Sequence, residues 1–256
     1  HPQGIAMITK LLCLSLLYLG FISQAYPRPF TILSTQSAPF KYLDKNQQPA
    51  GLHVDVWKII FQELEVKHDF KFVNWGSKRV KTEIEKGNAE LHFSLSKKKE
   101  REKLYVYPQQ SYHSQLYSFF IRAEDKGKIK YDSMSDLKGL IVGVTQSYTY
   151  TKEFWNAGLN LDITTNNSLH IHKLMKGRID VALLKMHACL YELNKVGERE
   201  KIVVLPKPLT ERASYAAFSR ASSQKDKLRV IENYDRIIRR LKSDGTIKKL
   251  YVKYFK

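Results

Sequence analysis

Cysteine is nearly absent from this sequence, with two in 256 residues. Cys13 sits inside an apolar N-terminal run, so Cys189 stands alone in the rest of the chain. One thiol cannot close an intramolecular disulfide, which excludes the small cross-linked scaffolds. Cys and His do not recur at metal-ligand spacings, and no metal or cofactor is expected. GxSxG, HExxH and P-loop patterns are missing, which removes the most recognisable hydrolase and nucleotide-binding chemistries. No low-complexity linker, heptad or collagen-like repeat interrupts the chain.

Acid is the other deficit. Against 43 Lys and Arg stand 25 Asp and Glu, a net charge of +18. Such a surface attracts small anions, nucleic acid or anionic membranes. The basic residues are spread through the whole chain, and no zinc-finger, RNA-binding or helix-turn-helix signature accompanies them. Nucleic acid is therefore not an expected partner. A composition of 43% hydrophobic and 27% charged residues is that of a folded chain rather than a disordered one.

What is present begins with an export pattern. Met7-Ile8-Thr9-Lys10 precedes the apolar run Leu11 to Ile22, and the small residues Ser23 and Ala25 follow. A basic start, a short apolar core and small residues at its end describe a secretory signal peptide. The apolar run is too short to span a bilayer comfortably. Residues 1–25 are expected to be this signal, with residues 1–6 an extension ahead of Met7. A soluble, periplasmic protein beginning at Tyr26 is the expectation.

The mature chain alternates strands and helices. Phe30 to Thr35, Asp69 to Trp75 and Glu90 to Leu95 read as strands. Between them, Gly51 to Leu64 and a segment capped by Ser77 read as helices. A second set follows, with strands at Leu140 to Thr145, Leu161 to Thr165 and Ile179 to Leu184. Helices are expected at Thr149 to Ala157, from Asn167 or Ser168 to Gly177, and at His187 to Val196. Strand-like Gln115 to Arg122 and Ser214 to Ser219 would carry the chain between the two sets. A long amphipathic helix, Gln224 to Ser243, has an apolar line through Leu228, Ile231, Ile238 and Leu241, and a short helix closes the chain. This pattern predicts an α/β protein of two lobes, each a mainly parallel sheet flanked by helices, joined by two hinge strands. The first lobe would comprise residues 26–118 and 219–256, the second residues 119–218.

One segment carries binding chemistry. In Ser94-Leu95-Ser96-Lys97-Lys98-Lys99-Glu100-Arg101, two hydroxyls at a strand end precede an arginine. Strand ends are where open α/β sheets bind ligands, and hydroxyls with a guanidinium fork suit a carboxylate.

Several ordered motifs together resemble the bacterial extracellular solute-binding proteins of family 3, type II periplasmic receptors that mostly serve polar amino-acid ABC transporters. They are Ala38-Pro39-Phe40, Gly51-Leu52-His53-Val54-Asp55-Val56, the segment from Ser94 to Arg101, and Gly177-Arg178-Ile179-Asp180-Val181-Ala182. Leu137-Lys138-Gly139 with Val142-Gly143-Val144, and Asp244-Gly245-Thr246 with Tyr254-Phe255, complete the series. The resemblance implies that Ser94, Ser96 and Arg101 hold a ligand carboxylate. It implies that Gln146-Ser147-Tyr148-Thr149 presents N–H groups to the same anion from the second lobe. Trp75, Tyr112, Tyr148 and Trp155 are the aromatics that could stack on a ligand; Tyr148 is the candidate because it lies in this loop, and Trp155 is expected in the core. Asp55 and Asp180 are expected to serve a helix start and a strand turn. It further implies a monomeric receptor for a small-molecule anion or amino acid, with an ABC transporter permease as partner.

Two positions depart from the family. Lys185 stands where amino-acid receptors commonly place an acid for the ammonium, and Ser37 replaces a lid aromatic. Lys185 thus becomes a candidate ligand residue, because a lysine repels an ammonium. The alternatives are a dehydratase of prephenate-like acids on the same fold, or a sensory module without a ligand. His92, His113, His170, His172 and His187 are the available acid–base groups, and none sits in a recognisable constellation.

Overall fold

A computed structural model describes residues 28–146, 148, 150–165 and 167–255. The expected signal peptide and Thr149 lie outside the described residues. Strand β1 (Phe30–Ser34) is buried along its whole length, because it runs between β4 (His68–Phe72) and β5 (Leu91–Leu95), parallel to both. A small antiparallel pair, β2 (Tyr42–Leu43) and β3 (Pro49–Ala50), leads into helix α1 (Leu52–Glu63). Val56, Trp57, Ile60 and Phe61 recur at helical spacing on α1 and are fully or almost fully buried. They meet Phe30, Ile32 and Phe218 on one face of the sheet. Helix α2 (Ser77–Glu85) covers the opposite face through Val80 and Ile84, beside Leu33 and Tyr105. Ser77 does not cap this helix. It is the first helical residue, behind Gly76.

The second lobe repeats the scheme. Strands β8 (Ile141–Thr145), β9 (Asn160–Thr164) and β10 (Val181–Lys185) are parallel in the order β10-β8-β9. Val181 and Leu183 belong to one core cluster, Ala182 and Leu184 to another. A strand whose successive side chains enter different cores must be apolar throughout, which explains the unbroken run Val181-Ala182-Leu183-Leu184. Helix α3 (Lys152–Trp155) is a single turn capped by Thr151, shorter than the expected Thr149 to Ala157. Helices α4 (Asn167–Met175) and α5 (Met186–Lys195) complete this lobe.

Two long antiparallel strands connect the lobes. Strand β7 (His113–Arg122) pairs with β10, with the short β11 (Ile202–Val204), and with the first half of β12 (Thr210–Ser219). Thr210 to Ser214 lie against β7, whereas Tyr215 to Ser219 lie against β5 and the short β6 (Tyr105–Val106). One strand therefore belongs to both sheets, with an irregularity between Tyr215 and Ala217 where it changes partner.

Helix α6 (Lys227–Ser243) closes the first lobe with Val230, Tyr234, Ile237, Ile238 and Leu241. Of the expected apolar line, Ile238 and Leu241 are buried and Ile231 packs against the core, whereas Leu228 is 65% exposed. Helix α7 (Thr246–Phe255) returns to the start of α1. There the Lys253 amine and the Tyr254 hydroxyl each donate to Asp55 at 2.7 Å.

Candidate functional site

The site grows out of the turn Ser37-Ala38-Pro39-Phe40-Lys41. Its carbonyls at Pro39 and Phe40 accept from the N–H groups of Leu52 (3.0 Å) and His53 (2.8 Å), two donors that the first turn of a helix leaves free. Gly51 permits this docking: its φ is +119°, and a β-carbon there would lie 2.4 Å from the Phe40 carbonyl group. The turn is thereby fixed on the end of α1, with Phe40 and Lys41 at the rim of a cavity.

The cavity holds about 470 Å³, a volume suited to a small solute. Ser34, Thr35, Phe40, Lys41, His53, Ser77, Val80, His92 and Ser94 line it from the first lobe. His113, Gln115 and Leu116 come from β7, and Tyr148, Lys185, Met186, His187 and Ala188 from the second lobe. On β5 the pleat sorts the side chains, since Leu91 and Phe93 enter the core while His92 and Ser94 reach the cavity.

The sequence-derived candidates separate into two groups. Ser94, Tyr148 and Lys185 share the cavity. Arg101 instead donates to Ser96, at 2.7 Å to the hydroxyl and 2.9 Å to the carbonyl, and neither residue is among the described lining. The Arg101 charge still acts on His92, whose protonated form it disfavours. Thr149 lies outside the described residues. In the same segment, the N–H groups of Gln146 and Tyr148 donate to Thr164 and Thr145, within the second lobe. Asp55 stands in the first turn of α1, and Asp180 accepts from the Ile141 N–H at 2.8 Å just ahead of β10.

Among the other aromatic candidates, Tyr112 is buried with its hydroxyl 3.0 Å from His53 Nδ1, and Trp75 lies outside beneath the Arg79 guanidinium. Trp155 was expected in the core but is 40% exposed, because Phe154 takes the inward position on the single turn of α3.

Two cations and four imidazoles set the electrostatics. Burial lowers the Lys41 amine to about 8, and this amine donates to Ser34 Oγ. Burial also lowers Lys185, whose amine lies 4.5 Å from the centre of the Tyr148 ring, within cation–π range. Burial pushes His92 and His113 down to about 3 and His187 to about 4, and drives His53 well below its ordinary value. All four imidazoles are neutral at pH 7. No carboxylate lines the cavity among the described residues. The sequence reading missed Lys41 and His53 as lining groups; the available signal was the turn at Pro39 lying just ahead of the α1 start.

The family profile of the bacterial extracellular solute-binding proteins, family 3, matches residues 31–256. The chain belongs to this family. The L-cystine-binding protein TcyA of Bacillus subtilis is 23% identical over 218 residues, which are 85% of this chain and 77% of that protein. Substrate-binding domain 2 of Lactococcus lactis GlnP, in its open conformation, superposes with a TM-score of 0.72 at 18% identity, covering 91% of this chain and 98% of that one. The unliganded open L-cystine solute receptor of Neisseria gonorrhoeae gives 0.72 at 21% identity, covering 88% and 92%. These structures share the two-lobed fold with this family 3 chain. Among its described residues no helix is long and apolar enough to cross a membrane, and no three His, Cys, Asp or Glu could hold a metal ion.

Proposed function

We propose that this protein is an exported, non-catalytic receptor that encloses a small carboxylate-bearing solute, an amino acid or related organic anion, between its lobes. One observation carries the reading: a cavity between two lobes presents two lysines and Ser94 without any described carboxylate. The ligand anion would settle against Ser94, with Arg101 held beside it by Ser96. The lobes would then close by bending where β12 changes sheets, bringing Tyr148 and Lys185 onto the ligand. Closure removes water, so each charge contact strengthens. The closed form would be handed, as a monomer in the periplasm, to the permease of an ABC transporter. Support for the amino-acid and transporter parts comes from relatives named as cystine receptors and as amino-acid ABC transporter components.

Calorimetry of the mature chain against organic anions and amino acids tests this. Carboxylates without a net positive charge should bind, and the binding should weaken as salt rises. Tight binding of arginine or lysine with no response to any organic anion would overturn the reading.

A further inference from the structure

The two lysines of the cavity come from different lobes and have no counterpart in the wall. Lys41 is fixed by the turn against α1, and Lys185 by the junction of β10 with α5. An ammonium taken from water without an opposite charge is costly, and two in one cavity also repel each other. The groups around them do not offset that charge. His53, His92, His113 and His187 are neutral, Ser34 and Ser94 are uncharged, and burial alone depresses both amines. Neither lysine contacts a carboxylate in the lining that could be exchanged for a ligand. The missing charge must arrive with the solute.

We infer that the preferred solute carries two anionic groups at separate ends, one meeting Lys41 on the first lobe and the other meeting Lys185 on the second. This rests on the receptor reading above and narrows its ligand class to linear dicarboxylates and their analogues. A monoanion leaves one amine unpaired in a cavity that closure dries further. A zwitterion adds a third cation. A single compact dianion such as phosphate brings both charges to one point, whereas the two amines stand on different lobes. A cavity of about 470 Å³ accommodates a short chain with a carboxylate at each end. Such a solute also explains a lysine where the family's amino-acid receptors need an acid: the second carboxylate takes the place of the ammonium.

Glutarate, pentanoate and inorganic phosphate are the probes, measured by calorimetry on the mature chain. Glutarate should bind about tenfold to a hundredfold more tightly than pentanoate, the value of one added charge-assisted contact. Lys41→Met and Lys185→Met should each erase that margin. A measurement on the unmodified protein guards against misfolded variants. Because Lys41 titrates at about 8, an arriving carboxylate raises it, and glutarate binding at pH 8 should take up protons, seen as an enthalpy that varies with the buffer. Equal affinity for glutarate and pentanoate, or phosphate binding more tightly than glutarate, overturns the two-anion inference, and glutarate binding without proton uptake overturns the part of Lys41 in it. In those cases the receptor reading stands as long as pentanoate or an amino acid binds. Failure of every carboxylate, amino acids included, overturns both.

Discussion

On the first lobe the cavity wall continues the hydrophobic core, whereas on the second it is assembled from the ends of elements. His92 and Ser94 are the outward half of a strand whose inward half, Leu91 and Phe93, is buried at 0% and 2% exposure. His53 projects from a helix pinned by the turn at Pro39 and by Tyr112. Moving any of these shifts packed core residues, which costs about 1–3 kcal/mol. Lys185, by contrast, is the last residue of β10 and immediately precedes α5, and Tyr148 sits in a turn. Such residues can change with little damage to the fold. The first wall therefore holds the shape of the site, and the second carries a charge, Lys185, that can be exchanged without disturbing that shape.

Reversing the second wall's charge gives the largest expected effect. Lys185→Asp replaces a half-buried cation facing the ligand by an anion. Affinity for carboxylates should fall by at least about a hundredfold, since one charge contact is lost and a repulsion of similar size replaces it. The thermal midpoint should move little, because Lys185 has no buried charged partner to abandon. An unfolded Lys185→Asp protein would break the contrast between the walls, and calorimetry paired with a melting curve reads both quantities.

A substitution behind the second wall tests the other half of the comparison. Gly143 on β8 faces the buried His170 ring, and a β-carbon there would lie 2.6 Å from His170 Nδ1 and from Ile179 Cδ1. His170 cannot yield easily, because its Nε2 is held at 2.8 Å by Thr164 Oγ1 and at 2.9 Å by the Val144 carbonyl. Gly143→Ala should cost about 1–3 kcal/mol and lower the midpoint by roughly 2–10 °C. Hydrogen exchange should quicken in β8 and β9 before β1 and β5. Equal quickening in both lobes would show that they unfold as one unit.

The parts of this molecule that could be read in advance are those where local pattern and tertiary packing agree. The continuous apolar strands needed two covering layers, and the structure supplies them. Leu228 shows the opposite case: spacing puts it on the apolar line of α6 with Ile231, Ile238 and Leu241, but the buried face runs through Val230, Tyr234 and Ile237 beside Ile238 and Leu241 and leaves Leu228 outside. Lys41 shows a third. A lysine after a proline turn reads as solvated, and only the docking of that turn on α1, through a glycine with positive φ, drives its amine inward. Sequence spacing also brought Ser94, Ser96 and Arg101 together as a set. Ser94 reaches the cavity from within β5, but the strand ends at Leu95, and beyond it Ser96 bonds Arg101 instead of lining the cavity.

Acid should loosen the seam between the walls. His53 and His113 pack together, with ring centres 5.2 Å apart, and His113 lies 5.6 Å from His187. The His187 ring also meets Tyr251 and Phe255 of the C-terminal helix. All of these imidazoles titrate below their unfolded value of about 6.5, at about 3 for His113 and about 4 for His187. Between those limits the unfolded chain binds protons that the folded chain refuses, so stability rises with pH and falls on acidification. The midpoint should drop steadily from pH 6.5 to pH 4. His113→Phe should flatten that slope, and a midpoint unchanged across the window would show that the seam is not sealed by neutral imidazoles.

The smallest effect belongs to an aromatic that lies on neither wall. Trp75 is 36% exposed and sits before α2, with the Arg79 guanidinium carbon 4.1 Å from its ring centre. An exposed cation–π contact contributes about 0.5–1 kcal/mol, and the ring makes no part of the described lining. Trp75→Ala should therefore lower stability by no more than about 1 kcal/mol and leave carboxylate affinity within about twofold. A larger loss of affinity would mean that lobe closure carries the ligand to Trp75, and the first wall would then extend beyond the strand ends that shape it here.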